Sequence, residues 1–555
     1  MDLDQILADD MDWQGAAQAQ GTVPPADEAK KGGILKPREV KSGNQDIEKA
    51  WEYHNATKHS HESVRRDPHF LDWANQPMPF KMYRNLEPIS LQLQIRPSGM
   101  AALEAIAGLG VDLGQEAQPN LAMLTQVLFL SAGISRRRQY PGGEIFFRTA
   151  ACTGALYEFE LYVVCGDMPG LDAGVYHFHP GDMGLRRLRV ADHRGVLVRA
   201  TAGDPSVSHA PVTLVCTGTY WRNAWKYRDR TYRHFGWDNG TLLANLLAAA
   251  RGLGLPAKVV MGFVDADVNR LLGLDTDREV AFSLVALGHS SKTPGAAPSS
   301  ASALALQAPA EVPELRLETL PLSAREVDYP AMREMHEASS LVSPEEVAAW
   351  RGAGGAFPGK EKAGTPVPSD GIEEVILRRG STRRFVREPI TLAQLSTMLD
   401  CATRGIPADF LEPPGAQWND LYVIVHAVEG LQPGSYFFRR EDRELEVLQL
   451  GDFRLVAGYL GLEQELPADA SAAVFCLAGL NRILERYGNR GYRAAQLEAG
   501  IIGGKLYLAA YALHLGATGL TFYDNDVTAF FSPHAEGKSA ISLMALGKRA
   551  AKLND

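Results

Sequence analysis

Residues 222–240 read RNAWKYRDRTYRHFGWDNG, and residues 482–500 read RILERYGNRGYRAAQLEAG. The two stretches share a framework of arginine, tyrosine and glycine in which every matched residue lies 260 positions from its partner. The matched pairs are Arg222 and Arg482, Tyr227 and Tyr487, Arg230 and Arg490, Tyr232 and Tyr492, Arg233 and Arg493, and Gly240 and Gly500. A register kept over this length indicates a duplicated domain, so this stretch decides the fold.

The same register extends on both sides of the stretch. An offset of 260 joins Glu160-Leu161-Tyr162 to Asp420-Leu421-Tyr422, Gly174-Val175-Tyr176 to Gly434-Ser435-Tyr436, and Cys216 to Cys476. After one deletion an offset of 259 joins Phe263 to Phe522, Asp265 to Asp524, Asp267 to Asp526, and Ala286-Leu287-Gly288 to Ala545-Leu546-Gly547. The sequence therefore predicts two similar domains, copy one and copy two, rather than an array of short repeats.

Each copy mixes helical and strand patterns. Apolar residues recur at spacings of three and four in 121–131 and 392–402, which predicts helices, whereas 161–164 and 421–425 are short apolar runs typical of buried strands. Residues 240–251 and 500–515 predict long apolar helices, suited to a core or to a dimer-like interface. We therefore predict an α+β fold for each copy.

Changes in composition mark the limits of the two copies. Residues 1–44 are polar and rich in glycine, proline, alanine and charge, which predicts a disordered tail, although the acidic amphipathic piece from Leu3 to Trp13 would also suit a docking helix. Residues 292–324 include a run rich in proline, alanine and serine and predict a linker. This leaves residues 45–291 as domain 1 and residues 325–555 as domain 2.

The composition argues against several functions. The 555 residues are 45% hydrophobic and 22% charged, as in a globular protein, and the net charge of −10 argues against nucleic acid or an anionic membrane as main partner. Five cysteines without CxxC spacing suit a reducing compartment. The acidic N-terminus does not resemble a signal peptide, and no apolar run reaches the length of a membrane span, so we expect a cytoplasmic protein.

The most specific local signal is a basic segment in copy two, Arg378-Arg379-Gly380-Ser381-Thr382-Arg383-Arg384-Phe385. Guanidinium groups form bidentate hydrogen bonds with phosphate, and Ser381 adds a hydroxyl. A solvated basic turn would have the same composition, so the segment alone leaves both interpretations open. A second basic pair, Lys548-Arg549, follows the apolar strand pattern of 541–546, and two basic clusters that bracket one domain favour an anion site.

These residues resemble the nitroreductase superfamily of flavin enzymes, and within it the SagB/ThcOx-type dehydrogenases. In that superfamily a segment of the form R-R-S-x-R-x-F and a basic residue after the last strand bind the phosphate and ribityl groups of FMN. The resemblance implies that FMN is bound by Arg379, Ser381, Arg383, Lys548 and Arg549. Gly380 departs from the pattern, which has a second arginine at this position.

The other flavin loop of the family has the form P-S-A-G-A-L-Y. In copy one, Ala151-Cys152-Thr153-Gly154-Ala155-Leu156-Tyr157 resembles it, with alanine and cysteine in place of proline and serine. The resemblance assigns Cys152, Thr153 and Gly154 of copy one, and Gly519 and Leu520 of copy two, to the cofactor site. Cys152 would be a reactive thiol near the flavin or, more commonly for such a residue, small packing. Copy two has only a looser match, Pro413-Pro414-Gly415-Ala416-Gln417-Trp418-Asn419.

Enzymes of this family are intertwined homodimers that bind FMN between subunits. The resemblance therefore implies an α+β fold of two tandem nitroreductase-like domains that form a pseudo-dimer within the chain. The basic segment of copy two and the loop of copy one would complete one cleft. The opposite cleft is expected to lack cations, because copy one offers only Arg96-Pro97-Ser98 and Gly288-His289-Ser290. We expect one FMN per chain.

A lysine and a tyrosine of copy one are the catalytic candidates. The resemblance places residues 222–228 over the flavin, where azoline-oxidising relatives use a Lys-Tyr pair for proton removal, which implies Lys226 or Tyr227 as the base. A lysine desolvated beside Trp225 would have a lowered pKa and could accept a proton while the flavin accepts hydride. Copy two has Arg486 beside Tyr487, and arginine cannot act as a base at neutral pH. A structural lysine bonded to a carboxylate is the alternative.

Other residues carry weaker signals. His177 and His179 alternate on one strand face and would suit a metal, but copy two has Phe437 and Arg439 there, which favours packing or solvent exposure. We therefore predict no metal site. Two acid pairs follow a strand, where helix capping is the simpler role. They are Asp265 with Asp267 and Asp524 with Asp526.

Three functions stay open. The first is an FMN-dependent dehydrogenase acting on a small or peptide-borne substrate, azoline-like oxidation included. The second is a reductase that takes hydride from NAD(P)H as co-substrate and passes it to a nitro, quinone or flavin acceptor. The third is a degenerate flavin-binding scaffold for a partner enzyme of a modification pathway, which the Ala151 and Cys152 replacements motivate. No Rossmann fingerprint is present, so the sequence predicts no dinucleotide domain.

Overall fold

The computed structural model of the chain describes residues 43–66, 69–108, 116–140, 143–291, 312–352, 368–411 and 416–550. Most of the predicted tail, residues 1–42, and the first part of the predicted linker, residues 292–311, lie outside these ranges. In the part of the chain that is described, no helix is both long and apolar enough to cross a bilayer.

The described residues form helices that we number α1 to α18. In copy one they are α1 Glu48–Ala56, α2 His61–Arg66, α3 Ala102–Ala107, α4 Leu121–Ala132, α5 Arg194–Ala200, α6 Pro205–His209, α7 Tyr220–Tyr227, α8 Thr231–Gly252 and α9 Asp265–Leu272. In copy two they are α10 Pro330–Ala338, α11 Pro344–Gly352, α12 Ile372–Arg378, α13 Leu392–Thr403, α14 Arg454–Leu460, α15 Glu465–Asp469, α16 Leu480–Tyr487, α17 Asn489–Ala512 and α18 Asp524–Phe531.

The strands are numbered in the same way. In copy one they are β1 Pro88–Ser90, β2 Ile134–Tyr140, β3 Gly143–Arg148, β4 Phe159–Cys165, β5 Gly174–His179, β6 Gly184–Val190, β7 Val212–Thr219, β8 Ala257–Val260 and β9 Glu279–Leu287. In copy two they are β10 Phe385–Val386, β11 Ile390–Thr391, β12 Asn419–Val425, β13 Val428–Glu429, β14 Gly434–Arg439, β15 Glu444–Leu450, β16 Ala472–Ala478, β17 Gly516–Leu520 and β18 Ser539–Arg549.

The two copies contain the same antiparallel sheet. The order in copy one is β1-β6-β5-β4-β7-β9-β8. In copy two the order β15-β14-β12-β16-β18-β17 matches the last six strands of that sheet, and the short strand β10 also pairs with β18. Strands β4 and β7 are buried along their whole length, because both faces of the sheet are covered and every position must be apolar or paired. The predicted α+β fold of two matching domains is confirmed.

Matching helices begin with side chains that satisfy free backbone N–H groups. At the start of α4, Asn120 accepts a hydrogen bond from the Met123 amide at 2.9 Å. At the start of α13, Thr391 and Gln394 form a reciprocal capping box with bonds of 2.9 and 3.1 Å. These caps fix the starts of the two helices at Leu121 and Leu392, where the spacing of apolar residues predicts them.

The two long helices α8 and α17 cross with their backbones in contact. A Cβ atom at Gly240 would lie 2.3 Å from the carbonyl carbon of Gly500, and one at Gly500 would lie 2.4 Å from the Gly236 carbonyl oxygen. Only glycine fits such an approach, which explains why both copies carry glycine at this position. The predicted packing of these helices against each other is confirmed.

Buried ion pairs join the copies near the N-terminal ends of the two crossing helices. Asp265 of copy one accepts hydrogen bonds from Arg490 at 2.8 Å and Arg493 at 2.9 Å, and Asp524 of copy two accepts from Arg230 at 3.1 Å and Arg233 at 2.5 Å. Burial alone would raise the pKa of Asp265, but the two arginines outweigh it and hold that pKa below its usual value.

The predicted capping role of these acids is therefore wrong for Asp265 and Asp524. Each is the first residue of its helix, yet neither α9 nor α18 has a side-chain cap. The repeated arginines of 222–240 and 482–500 explain the result, because arginines that cross to the other copy need a buried carboxylate to receive them.

The first helix of each copy also packs across the interface. In α1, the Ala50 amide donates to Asn489 at 3.1 Å, and His54 lies 3.3 Å from the Tyr492 hydroxyl. The matching contact joins the Tyr232 hydroxyl to His336 of α10 at 3.2 Å. Each copy thus begins with a similar helix, which packs against the other copy.

The described end of the predicted linker pairs with copy one. Residues 312–324 run beside residues 78–84, with the Met78 amide donating to the Leu322 carbonyl at 2.8 Å and the Arg84 amide donating to the Glu318 carbonyl at 3.0 Å. Trp221 of α7 donates to Ser323 at 2.7 Å. This part of the linker therefore covers the helix that carries the catalytic candidates.

Candidate functional site

The basic segment of copy two contacts copy one directly. Helix α12 ends at Arg378, and Arg379 turns into the interface, where its side chain is 9% exposed. Its guanidinium donates to the Thr149 carbonyl at 3.0 Å and to the Arg148 carbonyl at 3.3 Å. Since these carbonyls lie just before the loop of residues 151–157, the structure brings the two predicted halves of the site together.

A tyrosine of α17 connects two other predicted residues. The Tyr507 hydroxyl lies 3.1 Å from the Ser381 hydroxyl and accepts a hydrogen bond from the Gly519 amide at 2.8 Å. Gly519 and Leu520 end strand β17, next to Leu543 and Met544 of β18. The Tyr507 side chain thus links Ser381 of the basic segment to Gly519 of strand β17. Sequence reasoning did not identify this tyrosine.

The remaining predicted cations differ in their surroundings. The Arg549 guanidinium lies 4.8 Å from the centre of the Tyr511 ring, close to the segment. Lys548 points to Glu388, with an ion pair of 3.1 Å, and is 41% exposed. Arg383 is exposed. The structure therefore groups Arg379 and Arg549 with Ser381 and leaves Lys548 in an exposed pair.

Two cations of this group have no carboxylate partner within 4 Å among the described residues, namely Arg379 and Arg549. Burial lowers the pKa of Arg379, which shows how poorly its charge is solvated. The Thr382 hydroxyl beside them is buried and has no hydrogen-bond partner in the described part of the chain. Uncompensated guanidinium groups next to an unsatisfied hydroxyl suit an anionic group such as a phosphate.

A carboxylate of α8, Asp238, binds the 151–157 loop of copy one. The Thr153 amide and hydroxyl donate to Asp238 at 2.8 and 2.9 Å. The Cys152 thiol lies 3.4 Å from Asp238 and 3.2 Å from Glu158. Gly154 follows with φ of 61°, a left-handed conformation in which glycine is free of strain.

Burial controls the protonation of this cluster. It raises the pKa of the Cys152 thiol well above its usual value, and it raises the pKa values of Asp238 and Glu158. A neutral thiol is a weak nucleophile, so the geometry favours the packing role of Cys152. These three residues form the one group of three metal-type donors in the described ranges, and hydrogen bonds already join its members.

In copy two a glutamate binds the matching loop in the same way. Glu498 lies 260 positions after Asp238 and accepts hydrogen bonds from the amides of Trp418 and Asn419, both at 3.0 Å. Both carboxylates could have been found from the offset that aligns the copies, because an acid recurs on the buried helix. Residues 413–415 of the looser loop lie outside the described residues.

The catalytic candidates lie beside the copy-one loop. Helix α7 ends at Tyr227, and Arg228 follows with φ of 49°. The Tyr227 hydroxyl would be 2.9 Å from a Cβ atom at Gly154. The Lys226 amine lies 5.3 Å from the centre of the Tyr227 ring. The pair and the loop are thus in contact, as the resemblance implies, while the matching Arg486 lies over Tyr487 at 5.6 Å in copy two.

A buried histidine supports this pair and was missed in the sequence. The His234 ring lies 4.6 Å from the Tyr227 ring, and its Nδ1 atom lies 2.9 Å from Asn223. Burial lowers the pKa of His234 well below its usual value, which keeps the imidazole neutral. Copy two has Ala494 at the matching position, so this difference in the aligned copies was the available signal.

The pseudo-symmetry of the chain also identifies the opposite cleft. Ala101 and Gly371 pair in an antiparallel bridge, with the Ala102 amide donating to Asp370 at 2.9 Å and the Ile372 amide donating to Met100 at 3.1 Å. This makes α3 the counterpart of α12 and Gly108 the counterpart of Arg378. The assignment of Arg96-Pro97-Ser98 as the matching segment is therefore wrong.

The expected absence of cations from the opposite cleft is also wrong. Arg251 of α8 and Lys505 of α17 line it, and the Lys505 amine donates to the Gly405 carbonyl at 2.8 Å. The Arg251 guanidinium packs against Gly108, where a Cβ atom would lie 2.0 Å from it. The cavity that remains measures about 20 Å³, about enough for one water molecule. In the described part of this cleft, the side chains of Arg251 and Lys505 thus occupy most of the space.

The two strand histidines have carboxylate partners. His177 lies 2.9 Å from Glu160, which also pairs with Arg222 at 2.7 Å, and His179 lies 2.9 Å from Asp182. Each histidine is thus hydrogen-bonded to its own carboxylate, and no third metal-type donor joins them among the described residues. Packing explains both, in agreement with the interpretation favoured from the sequence.

Comparison with known proteins identifies the same family in both copies. The model of the nitroreductase family matches residues 180–289 and 376–548, which together make up about half of the chain. A structure of a nitroreductase-family protein from Anabaena variabilis has a TM-score of 0.71 and 25% identity, and the alignment covers 90% of this chain and 99% of that one. The similarity to that structure extends over both copies.

Two curated relatives match shorter regions. A nitroreductase-family protein from Methanocaldococcus jannaschii is 28% identical over 152 residues, which cover 27% of this chain and 73% of the relative. The trifolitoxin-processing protein TfxB of Rhizobium leguminosarum bv. trifolii is 29% identical over 195 residues, which cover 33% of this chain and 52% of that protein. The match thus spans only about half the length of the processing protein.

Proposed function

The chain belongs to the nitroreductase family, and we propose that it is an FMN-dependent oxidoreductase with one flavin between its two copies. One observation carries the proposal: Arg379 of copy two bonds to the backbone of copy one at Arg148 and Thr149, immediately before the 151–157 loop. Among the described residues, Arg251 and Lys505 occupy the opposite cleft. This difference supports a single flavin per chain.

The residues present fit the phosphate of such a cofactor. Arg379 and Arg549 would bind it together with Ser381, and the unsatisfied Thr382 hydroxyl offers a further donor. Thr153 and Gly154 of copy one, with Gly519 and Leu520 of copy two, would line the ring end. Lys548 and Arg383 would add charge from the exposed side. Bound FMN supplies an acceptor for two electrons as hydride.

The protein would supply the proton transfer. Lys226 and Tyr227 lie beside Gly154, at the ring end of this arrangement. A base placed there can remove a proton from the atom next to the carbon that loses hydride, so that a double bond forms between the two atoms. General bases contribute about 10²- to 10⁴-fold to such reactions. The neutral His234 packs against Tyr227 and limits where its ring can lie. Arg486 gives copy two no equivalent base.

The relatives support a substrate class. One of them, TfxB, is a trifolitoxin-processing protein, which favours a substrate that is modified during processing. We infer a SagB-type dehydrogenase that oxidises a small or peptide-borne substrate, azoline-like rings included, and that works with a partner enzyme of a modification pathway. Residues 312–324 cover α7, so the segments around that helix would determine which substrate reaches it.

The test is the flavin content of the purified chain. We expect an oxidised flavin spectrum and one FMN released per chain. A colourless protein that does not take up added FMN would contradict the proposal and favour a scaffold role. Two equivalent flavins per chain would contradict the single cleft. Rapid bleaching by NADPH alone, without another substrate, would instead indicate an NAD(P)H-dependent reductase.

A further inference from the structure

An arginine of copy one faces the glycine that interrupts the basic segment of copy two. Gly380 stands where the family pattern has an arginine. Apart from the chain neighbours of Gly380, a Cβ atom built there would have only the Tyr511 hydroxyl, at 3.5 Å, and the Nη2 atom of Arg136, at 4.0 Å, within 4 Å among the described residues. The space beside Gly380 is therefore open, and a cationic group of the other copy borders it.

Arg136 is held in this place by a hairpin. It lies on β2, opposite Phe147 of β3, and its guanidinium stacks 4.8 Å from the centre of that ring. The next residue, Arg137, lies opposite Phe146 and stacks on it at 5.5 Å. Because side chains alternate along a strand, the two arginines point to opposite faces of the hairpin. Only Arg136 is directed at the segment.

In the described part of the chain, no carboxylate balances the positive charges at this point. Burial is the main cause that lowers the pKa of Arg379, and Arg136 acts in the same direction as a neighbouring positive charge. Among the described residues, no carboxylate lies within 4 Å of Arg136, Arg379 or Arg549. Arg379 is buried, whereas Arg136 and Arg549 are exposed. An anion bound beside Arg379 would offset its repulsion with Arg136 and could be reached by Arg549 from the solvent side.

We propose that Arg136 supplies, from copy one, the phosphate-binding guanidinium that Gly380 no longer provides in copy two. This assignment rests on the proposed flavin function and adds a residue to it. The matching stretch of copy two, residues 405–411, contains no lysine or arginine. The cation would thus have moved across the interface, so that both ends of the cofactor depend on both copies.

The test compares Arg136→Ala with Arg137→Ala, a matched control on the same hairpin. The affinity of the flavin-free protein for FMN is measured by quenching of flavin fluorescence, and riboflavin, which lacks the phosphate, is titrated in parallel. Loss of a charge-assisted contact should weaken FMN binding by Arg136→Ala about 10- to 100-fold. Arg137→Ala should change it by less than about 3-fold, and riboflavin binding should be equal in both variants.

A rescue variant makes the test specific to position 380. Gly380 does not have a left-handed backbone, so an arginine is tolerated there. Adding Gly380→Arg to Arg136→Ala should restore FMN affinity to within about 5-fold of the unmodified chain. Equal FMN affinity in the Arg136 and Arg137 variants would overturn this inference and leave the flavin function standing. An unmodified chain that binds no FMN would overturn both.

Discussion

Asp238 and Glu498 occupy matched positions on the two central helices, and each holds the loop of its own copy by accepting backbone hydrogen bonds. Asp238 accepts from the Thr153 amide at 2.8 Å, and Glu498 accepts from the Trp418 amide at 3.0 Å. Both carboxyl groups are buried, at 6% and 0% exposure. A buried acid is costly unless its oxygens are satisfied, so each loop and its acid stabilise one another.

The hydrogen bonds between each acid and its loop predict that removing Asp238 and removing Glu498 have different effects on FMN binding. Asp238→Ala frees the Thr153 loop, so we expect a loss of about 1–3 kcal/mol of unfolding free energy and at least about 10-fold weaker FMN binding. Glu498→Ala should cost a similar free energy but leave FMN affinity unchanged, since it holds the loop of the opposite cleft. Urea unfolding and flavin titration measure the two quantities. Equal flavin loss in both variants would contradict a single working cleft.

Glu498 also predicts how stability depends on pH. Burial raises its pKa from 4.5 to about 7 in the folded chain. The folded state therefore holds the proton more tightly than the unfolded state, so stability falls as the pH rises from about 4.5 to 7 and is level above that. The difference amounts to about 3 kcal/mol.

Glu498→Gln is the matched variant for this effect. The amide keeps an acceptor for the Trp418 and Asn419 amides, and its NH₂ group can face the Asn419 side-chain oxygen, which has no partner among the described residues. Urea unfolding at pH 5 and pH 8 should show a smaller decrease for the variant than for the unmodified chain. Parallel pH profiles for the two proteins would show that Glu498 does not titrate in this range.

The arginine pairs that cross the interface predict a large effect at Asp265. Asp265→Asn leaves Arg490 and Arg493 buried without a counter-charge, which should cost about 3–5 kcal/mol of unfolding free energy. Asp267→Asn, on the same helix, breaks only a half-exposed contact of 3.3 Å with Arg199 and should cost less than about 1 kcal/mol. Similar losses in both variants would mean that the crossing pairs are not the main link between the copies.

Much of the fold follows from the repeated register. The offset of 260 aligned Gly240 with Gly500 and Arg233 with Arg493, and these residues form the helix crossing and the ion pairs. What the alignment could not show is that the arginines reach the other copy. Their partners, Asp524 and Asp265, are distant in the chain and suited a local capping role equally well, so only the packing of the helices decides between the two.

The candidate site was less accessible to sequence reasoning. Motif-like residues such as Arg379 and Thr153 were found because their types and spacing are constrained by the ligand they would bind. Asp238 and His234 act through buried hydrogen bonds and ring contacts, which leave no local pattern beyond a difference between the copies. Arg136 has no basic counterpart in the matching stretch of copy two, and its relation to Gly380 exists only in three dimensions.

The asymmetry of the two copies gives the sharpest prediction for catalysis. Lys226→Ala should leave the flavin spectrum and the amount of bound FMN unchanged, because the lysine contacts Tyr227 rather than the basic segment. Turnover should fall by about 100-fold or more, as for the loss of a general base. The mirror variant, Arg486→Ala, removes the matching side chain of copy two and should retain most of the activity. Single-turnover reduction of the bound flavin measures both variants. If the two lose activity equally, Lys226 acts through the stability of the interface, and proton removal must be assigned to another residue.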